Sequence, residues 1–522
     1  MFKRNIVLGL SLCFVLLLLF SGMGLAVDSP KFGGTLRVAM VGPPPTLDVH
    51  INTGFMAGTI GMHIFEGLYT FDSNFKPIPF LVKDSETKND GKLVILRLRE
   101  GVLFHNGKEL TSEDVVASLN RWGEYGPKGQ LLYKYIDKVE SVDKYTVNIY
   151  FKEIFSPWKN LFAYFDGPVI YPKEVMDVTG SEPVKVENYI GTGPYKFVKW
   201  QEGRQIILKR FDDYVARDDE ADGWGGKRVA YFDEIDFFPV EDSGTRFNGV
   251  KAGDYDYAMQ IESDFYDDAR KDPDIVTVLN EGAKSQFMFF NSKAGIMKDN
   301  FKLRRAIQSC LEMDKALSVG FGGLEGLWKL NGSIYPSGTF WYSEGGIENY
   351  NQGNPEKAKE LAKEAGYNGE VIRFLTTTSY AGHYESCVVL AQQLEKAGFN
   401  IDLQICDWAT LVSRRADPEL WEIFHTRHGM VPDPILYTFL SDSYPGWWVT
   451  DKRLELTDQL VKISGFEERH NIWDEIQTLL YEEVPVIKIG DTYEFNIASP
   501  KVKGIGKFPS MIFFPFWGLW LD

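Results

Sequence analysis

The chain has 522 residues, and its 73 Asp and Glu outweigh 56 Lys and Arg to give a net charge of -17 and a pI near 5.1. That balance excludes the basic footprint by which proteins hold nucleic acid. Its length exceeds what one hydrophobic core organises, so two or three domains are expected.

In chain order, the first element is a basic start (Lys3, Arg4), an apolar core from Ile6 to Phe20 and a small-residue Gly24-Leu25-Ala26 site. This is the pattern of a secretory signal peptide over residues 1–26, with cleavage expected after Ala26. A retained anchor is the alternative, because the apolar run is near the short end for a membrane span. Cys13 follows Leu12, where lipidation would want Gly, Ala or Ser, so no lipid anchor is expected. No later stretch is apolar enough to span a bilayer; Met511 to Trp520 is short and broken by Pro515 and Gly518. The mature protein is expected to be soluble, periplasmic or at the cell surface.

Strand-like runs then alternate with helical stripes, without internal repeats or a long low-complexity linker, so the fold class is α/β or α+β. Gly33 to Met40 reads as a strand, followed by the loop Pro43-Pro44-Pro45-Thr46-Leu47-Asp48, the polar turn Asn52-Thr53-Gly54 and a helix from Gly61 to Tyr69. Leu93 to Arg99 reads as a strand, Gly101 as a turn and Phe104-His105-Asn106-Gly107 as irregular chain. A helix is then opened by Thr111 as N-cap, with Asp114 at the capping-box position. A hairpin is predicted around Asp143-Lys144, its second strand being Tyr145 to Phe151. Asn354-Pro355 starts a helix that Gly366 ends, and a helix over 384–397 precedes a strand from Asn400 to Cys406.

The ordered string from Leu96 to Arg121, together with the exported start, resembles the family-5 extracellular solute-binding proteins of ABC importers, the peptide, nickel and oligosaccharide receptors. Asn188 to Trp200, Tyr231 to Phe238, Met288 to Asn291, Lys302 to Gln308 and Trp421 to Pro434 extend the resemblance over most of 33–522. It implies a mixed α/β, bilobal "Venus flytrap" of the large three-domain type. Lobe one would be 33–65, 189–286 and 486–522, with a 66–188 subdomain attached, and lobe two 287–485. The crossings near 286 and 485 would be hinges, and closure would bury the ligand.

The resemblance implies that the segment Trp421 to Pro434 carries ligand contacts. Dipeptide and oligopeptide receptors hold the peptide ammonium with an aspartate three residues before the acidic position matched by Asp433, and this chain has Met430 there. A carboxylate-binding arginine of the dipeptide receptor falls near Thr377, so a dipeptide specialist is not expected. The candidate pocket is Thr53 and Gly54 from lobe one with Arg427, His428, Gly429 and Met430 from lobe two. Arg427 can pair bidentately with a carboxylate or phosphate, or be a solvated structural arginine. Trp408, Trp447 and Trp448 are candidate aromatic walls, with core packing as the competing role.

His425 and His428 are three apart on a strand, hence on opposite faces, and no cysteine or carboxylate cluster completes a coordination set, so no metal site and no cofactor are expected. His105 is read as structural. With the signal removed, Cys310, Cys387 and Cys406 remain; Cys310 and Cys387 fall on apolar helical stripes, and free thiols are favoured over a Cys387 to Cys406 bridge. No Gly-x-Ser-x-Gly, His-Glu-x-x-His or Walker loop is present, and an exported glycosidase is the remaining enzymatic competitor. The expected function is a monomeric receptor that captures a peptide or similar small solute and delivers it to an ABC permease driven by cytoplasmic ATPases. Oligosaccharide uptake and chemosensory docking are the alternatives.

Overall fold

The structure, a computed structural model, describes residues 29–380, 382–506 and 515–522. The predicted signal peptide and Cys13 lie outside the described residues, as does part of the aromatic C-terminus.

One mixed sheet organises the molecule. Its strands run in the order Asn400–Cys406, Val371–Thr377, Ile423–Gly429, Val276–Phe290, Val486–Ala498, Tyr257–Ile261, Thr35–Met40, Glu234–Pro239, Gln205–Arg210 and Tyr195–Gln201. Thr35–Met40 buries Leu36, Val38 and Met40 and lies parallel to both neighbours, as expected of an apolar central strand covered on both faces. Val276–Phe290 and Val486–Ala498 are 15 and 13 residues long and pair antiparallel through the middle of the sheet. The register slips between Asn280 and Lys284 and again between Gln286 and Phe287. Strands of that length reach roughly 45 Å, so the same two segments serve both halves of the sheet.

The predicted capping box is present: Thr111 caps the helix Ser112–Tyr125, and the Asp114 carboxylate accepts from the Thr111 N–H at 2.8 Å. That helix presses Val115, Leu119 and Trp122 onto a four-stranded antiparallel sheet whose strands include Leu93–Leu98 and Thr146–Phe151. Val94, Leu96, Val147 and Ile149 face them, each fully buried and contributing about 1.5–3 kcal/mol. His105 fastens this unit to the main sheet. Its Nδ1 accepts from the Gly191 N–H at 3.2 Å while Nε2 lies 2.9 Å from the Gly193 carbonyl, which fixes the neutral Nε2–H tautomer.

The helix expected from Gly61 to Tyr69 is instead Phe55–Ile64. Gly61 falls inside it because Val49 packs against the bare glycine face, where a Cβ would lie 2.9 Å from Val49 Cγ1. The run Tyr69–Phe71 is a short strand paired with Pro77–Pro79, which suits its aromatic and β-branched side chains better than a helix does.

In the other half of the sheet, Met288, Phe290, Ile423 and Ile487 pack against the helices Phe301–Cys310 and His383–Lys396. Phe287, Phe289 and Phe424 point the other way, into a core with Trp421, Tyr437 and Trp473. Cys310, Cys387 and Cys406 are free; the first two are buried among apolar neighbours, and burial pushes both thiols up to about 12. Two fully buried bidentate ion pairs pin loops: Arg121 to Asp48, in the chain leading to Thr53, and Arg469 to Asp433, just past the Ile423–Gly429 strand.

Candidate functional site

The strand Ile423–Gly429 is paired unequally. On one edge it follows Val276–Phe290 along its whole length, from Phe290↔Ile423 to Lys284↔Gly429. On the other edge Val371–Thr377 pairs with it only at Phe374↔Ile423 and Leu375↔Phe424, and then diverges. Among the described residues no strand takes the second edge from His425 to Gly429. A strand edge with unspent N–H and C=O groups is a template for an extended chain.

Side chains of this strand alternate between two different environments. Arg427 stands opposite Gln286 and shares its face with His425, whereas His428 stands opposite Ser285 on the reverse face. Arg427 and His428, both candidates for the pocket, therefore lie on opposite faces of the strand by its period-two geometry.

On the first face, the Arg427 guanidinium lies 4.2 Å from the centroid of the Tyr380 ring. Tyr380 meets Trp408 edge-on at 5.2 Å, and Trp408, the first residue of the helix Trp408–Arg415, is partly exposed. No carboxylate among the described residues forms an ion pair with Arg427. Behind it opens a cavity of about 390 Å³ between the two halves of the sheet, lined by Arg427, Lys284, Gln286, His383 and Glu494, with Glu262 on the far side. Lys284 and Glu494 are in ion-pair contact. Burial works against ionised Glu494, but Lys284, Gln260 and Arg427 outweigh it and hold the carboxyl below its usual range.

His383 sits at the first turn of a 14-residue helix, and both of its ring nitrogens are buried without a hydrogen-bond partner. Burial, reinforced by His425, Arg427 and Lys284, lowers its pKa to about 2. His425, 4.6 Å away ring to ring and contacting Gln286 Oε1 at 3.2 Å, is lowered by burial to about 3. Both imidazoles are neutral at any physiological pH; His383 has one donor and one acceptor to offer, whereas His425 gives its Nε2–H to Gln286 Oε1 and keeps Nδ1. The cavity thus combines Arg427 and the neutral His383 with the Lys284 and Glu494 ion pair and the carboxylates of Glu262 and Asp264, a set suited to a polar group. No group of three His, Cys, Asp or Glu with metal-binding spacing occurs among the described residues.

On the reverse face His428 is enclosed by Phe287, Phe289 and Tyr444, with Nε2 at 3.3 Å from the Tyr444 hydroxyl; burial first, then Arg415, lowers its pKa to about 4. Gly429 is exposed at the strand end. Met430 is buried and its carbonyl accepts from the Tyr164 hydroxyl at 3.2 Å. Thr53 and Gly54 are exposed where the helix Phe55–Ile64 begins, held by the Asn52 side chain accepting from the Gly54 N–H at 2.9 Å. They belong to the half of the sheet opposite Arg427 and do not line the 390 Å³ cavity. Trp447 stacks on Trp421 at 5.9 Å, and Trp448 is buried with its indole N–H donated to Glu483 at 2.5 Å. Trp448 therefore takes the competing role of core packing, whereas Trp447 keeps part of its surface exposed.

The structure therefore gathers Arg427 and Trp408 about Tyr380, and puts Gly429 and Met430 at the end of the same strand. Lys284, Gln286, Tyr380, His383 and Glu494 escaped sequence reasoning. The one local signal for His383 was its place just after Gly382, at the start of a helix following a strand.

The sequence model described as bacterial extracellular solute-binding proteins, family 5 Middle, matches residues 76–447. A probable peptide ABC transporter periplasmic-binding protein, y4tO of Sinorhizobium fredii, is 27% identical over 477 residues, 87% of this chain and 88% of that protein. The glutathione-binding protein GsiB of Pectobacterium atrosepticum is 28% identical over 401 residues, 73% of this chain and 71% of its own. The crystal structure of the ABC transporter substrate-binding protein CtaP of Listeria monocytogenes superposes with a TM-score of 0.81 at 22% identity, covering 94% of this chain and 100% of that one.

Proposed function

The chain belongs to family 5 of the bacterial extracellular solute-binding proteins, and from that membership we propose that it is the receptor of an ABC importer for short peptides. The observation that carries the peptide reading is the unpaired edge from His425 to Gly429 beside the Arg427 cavity. An extended peptide laid along that edge satisfies its own N–H and C=O groups against the strand, which removes the main cost of burying a polar backbone. Five residues of edge span roughly 17 Å, the length of a tetra- to pentapeptide. A carboxylate of the ligand meets Arg427 and the neutral His383 in the cavity. The names of the relatives, a peptide-binding and a glutathione-binding protein, support the same class of solute.

We divide the chain functionally as lobe one (33–65, 189–286 and 486–522), an attached 66–188 subdomain and lobe two (287–485). Thr53 and Gly54 of lobe one face the ligand from across the cleft. Residues 1–26 direct export. The receptor performs no covalent chemistry and hands an unchanged ligand to the permease.

Mass spectrometry of small molecules released on denaturing the natively purified protein tests this reading. Peptides of three to six residues are expected. Hexose oligomers would replace the peptide by a sugar and make the Trp408 and Tyr380 faces the stacking platform.

A further inference from the structure

Immediately after the unpaired edge the chain passes through Met430, Val431 and Pro432, and each of these three carbonyls is taken by a side chain. Tyr335 donates to the Val431 carbonyl at 3.1 Å from the same half of the sheet. The other two donors come from the segment behind the four-stranded unit: Tyr164 to Met430 at 3.2 Å, and Asn160, in the helix Trp158–Ala163, to Pro432 at 2.5 Å. Asn160 is fully buried, so its amide has no water to turn to. Two backbone bonds join the same bodies at a distance, Ser156 N–H to the Val461 carbonyl at 2.9 Å and Phe340 N–H to the Asn74 carbonyl at 2.7 Å. Lys76 adds its ammonium over the rings of Phe340 and Phe466.

We infer that Asn160 and Tyr164 are positioning residues of the receptor: reaching from the attached subdomain, they hold the Met430–Pro432 backbone at the end of the ligand strand and latch the subdomain onto lobe two. The inference rests on the reading of Ile423–Gly429 as the ligand strand. A swing about the two long crossing strands would separate Tyr164 from Met430, Asn160 from Pro432, Ser156 from Val461 and Phe340 from Asn74 together. Retention of the ligand is then coupled to a contact that the ligand itself does not make. Release requires the subdomain to let go.

Hydrogen exchange, read by mass spectrometry on the protein as purified, tests this without knowledge of the ligand. In the double variant Asn160→Ala, Tyr164→Phe, exchange of peptides carrying the Ser156 and Phe340 amides should accelerate about tenfold, although neither amide bonds to an altered side chain. Exchange along Thr146–Phe151 should stay at the wild-type rate. Unchanged exchange at Ser156 and Phe340 overturns the latch; equal acceleration along Thr146–Phe151 overturns it too, by showing that the subdomain has merely been destabilised. The single variant Tyr164→Phe, which keeps the ring and its packing, should give an intermediate acceleration. With tetra-alanine as probe, the dissociation rate should rise about tenfold in the double variant. Should tetra-alanine not bind the wild-type protein, the peptide reading loses support while the exchange experiment still decides the latch.

Discussion

The guanidinium of Arg427 rests on the ring of Tyr380, 4.2 Å from its centroid, and makes no ion pair with a carboxylate among the described residues, although Glu494 lines the same cavity. A cation held by a π face is oriented but keeps its N–H donors. Paired with an acid, the same arginine would have spent them.

Arg427→Gln should therefore weaken ligand binding by ten- to a hundredfold, about 1.5–3 kcal/mol for a charge-assisted bond, with the melting temperature unchanged. Calorimetric titration with the ligand recovered from the protein measures the first, and a thermal melt the second. Wild-type affinity in a folded Arg427→Gln protein would remove Arg427 from the site.

Thr53→Val changes a hydroxyl on an exposed residue, so folding should be indifferent to it. A loss of affinity of several-fold in the same titration assigns Thr53 to the lobe-one wall. No loss returns the Asn52-Thr53-Gly54 turn to a purely structural role.

The buried pair Arg469 and Asp433 holds the loop that follows the strand Ile423–Gly429. Asp433→Ala leaves a guanidinium uncompensated in the core, at a cost of about 3–5 kcal/mol. Denaturant unfolding should show a large drop in midpoint. Truncating both partners to apolar residues should recover part of it, because the isolated buried charge is gone.

Stability should fall as the pH drops below neutrality. Burial lowers His50 and His428 to about 4 and His63 and His425 to about 3. Unfolded, these groups take up protons below about pH 6.5; folded, they do not until the pH reaches their depressed values. Their contribution is complete above pH 6.5 and is lost on acidification toward 4 to 3. The His428→Phe variant should flatten the profile between pH 6.5 and 5 by up to about 1.4 kcal/mol per pH unit, measured by urea unfolding at each pH. Ligand affinity, by contrast, should show no inflection from His383 between pH 5 and 8, since that ring stays neutral throughout.

Thiol titration of protein lacking residues 1–26 should find three reactive groups in denaturant and only Cys406, slowly, in the native state. Cys310 and Cys387 are buried and their thiols pushed up to about 12, whereas Cys406 is partly exposed. A single thiol in denaturant without reductant would restore the Cys387 to Cys406 bridge, since that bridge leaves only Cys310 free.

What the sequence determined by itself is what short-range physics encodes. The Thr111 and Asp114 capping box, the hairpin closing at Asp143-Lys144, the Asn354-Pro355 start and Gly366 stop, and the apolar stripes bearing Cys310 and Cys387 are all set by residues within a few positions of one another. The ordered blocks built from them sufficed to indicate the family. Tertiary structure alone decided the site. Which side of Ile423–Gly429 Arg427 takes depends on its register with Gln286, 141 positions earlier, and the free edge exists because Val371–Thr377 diverges after Leu375. His383 gave only a weak local signal, its place at a helix start, because whether a buried imidazole keeps both nitrogens unspent depends on what its neighbours leave unfilled. Trp448 illustrates the converse: its aromatic character suggested a binding wall, but an aromatic ring lines a cleft or fills a core according to what packs against it, and here the ring is buried with its N–H given to Glu483.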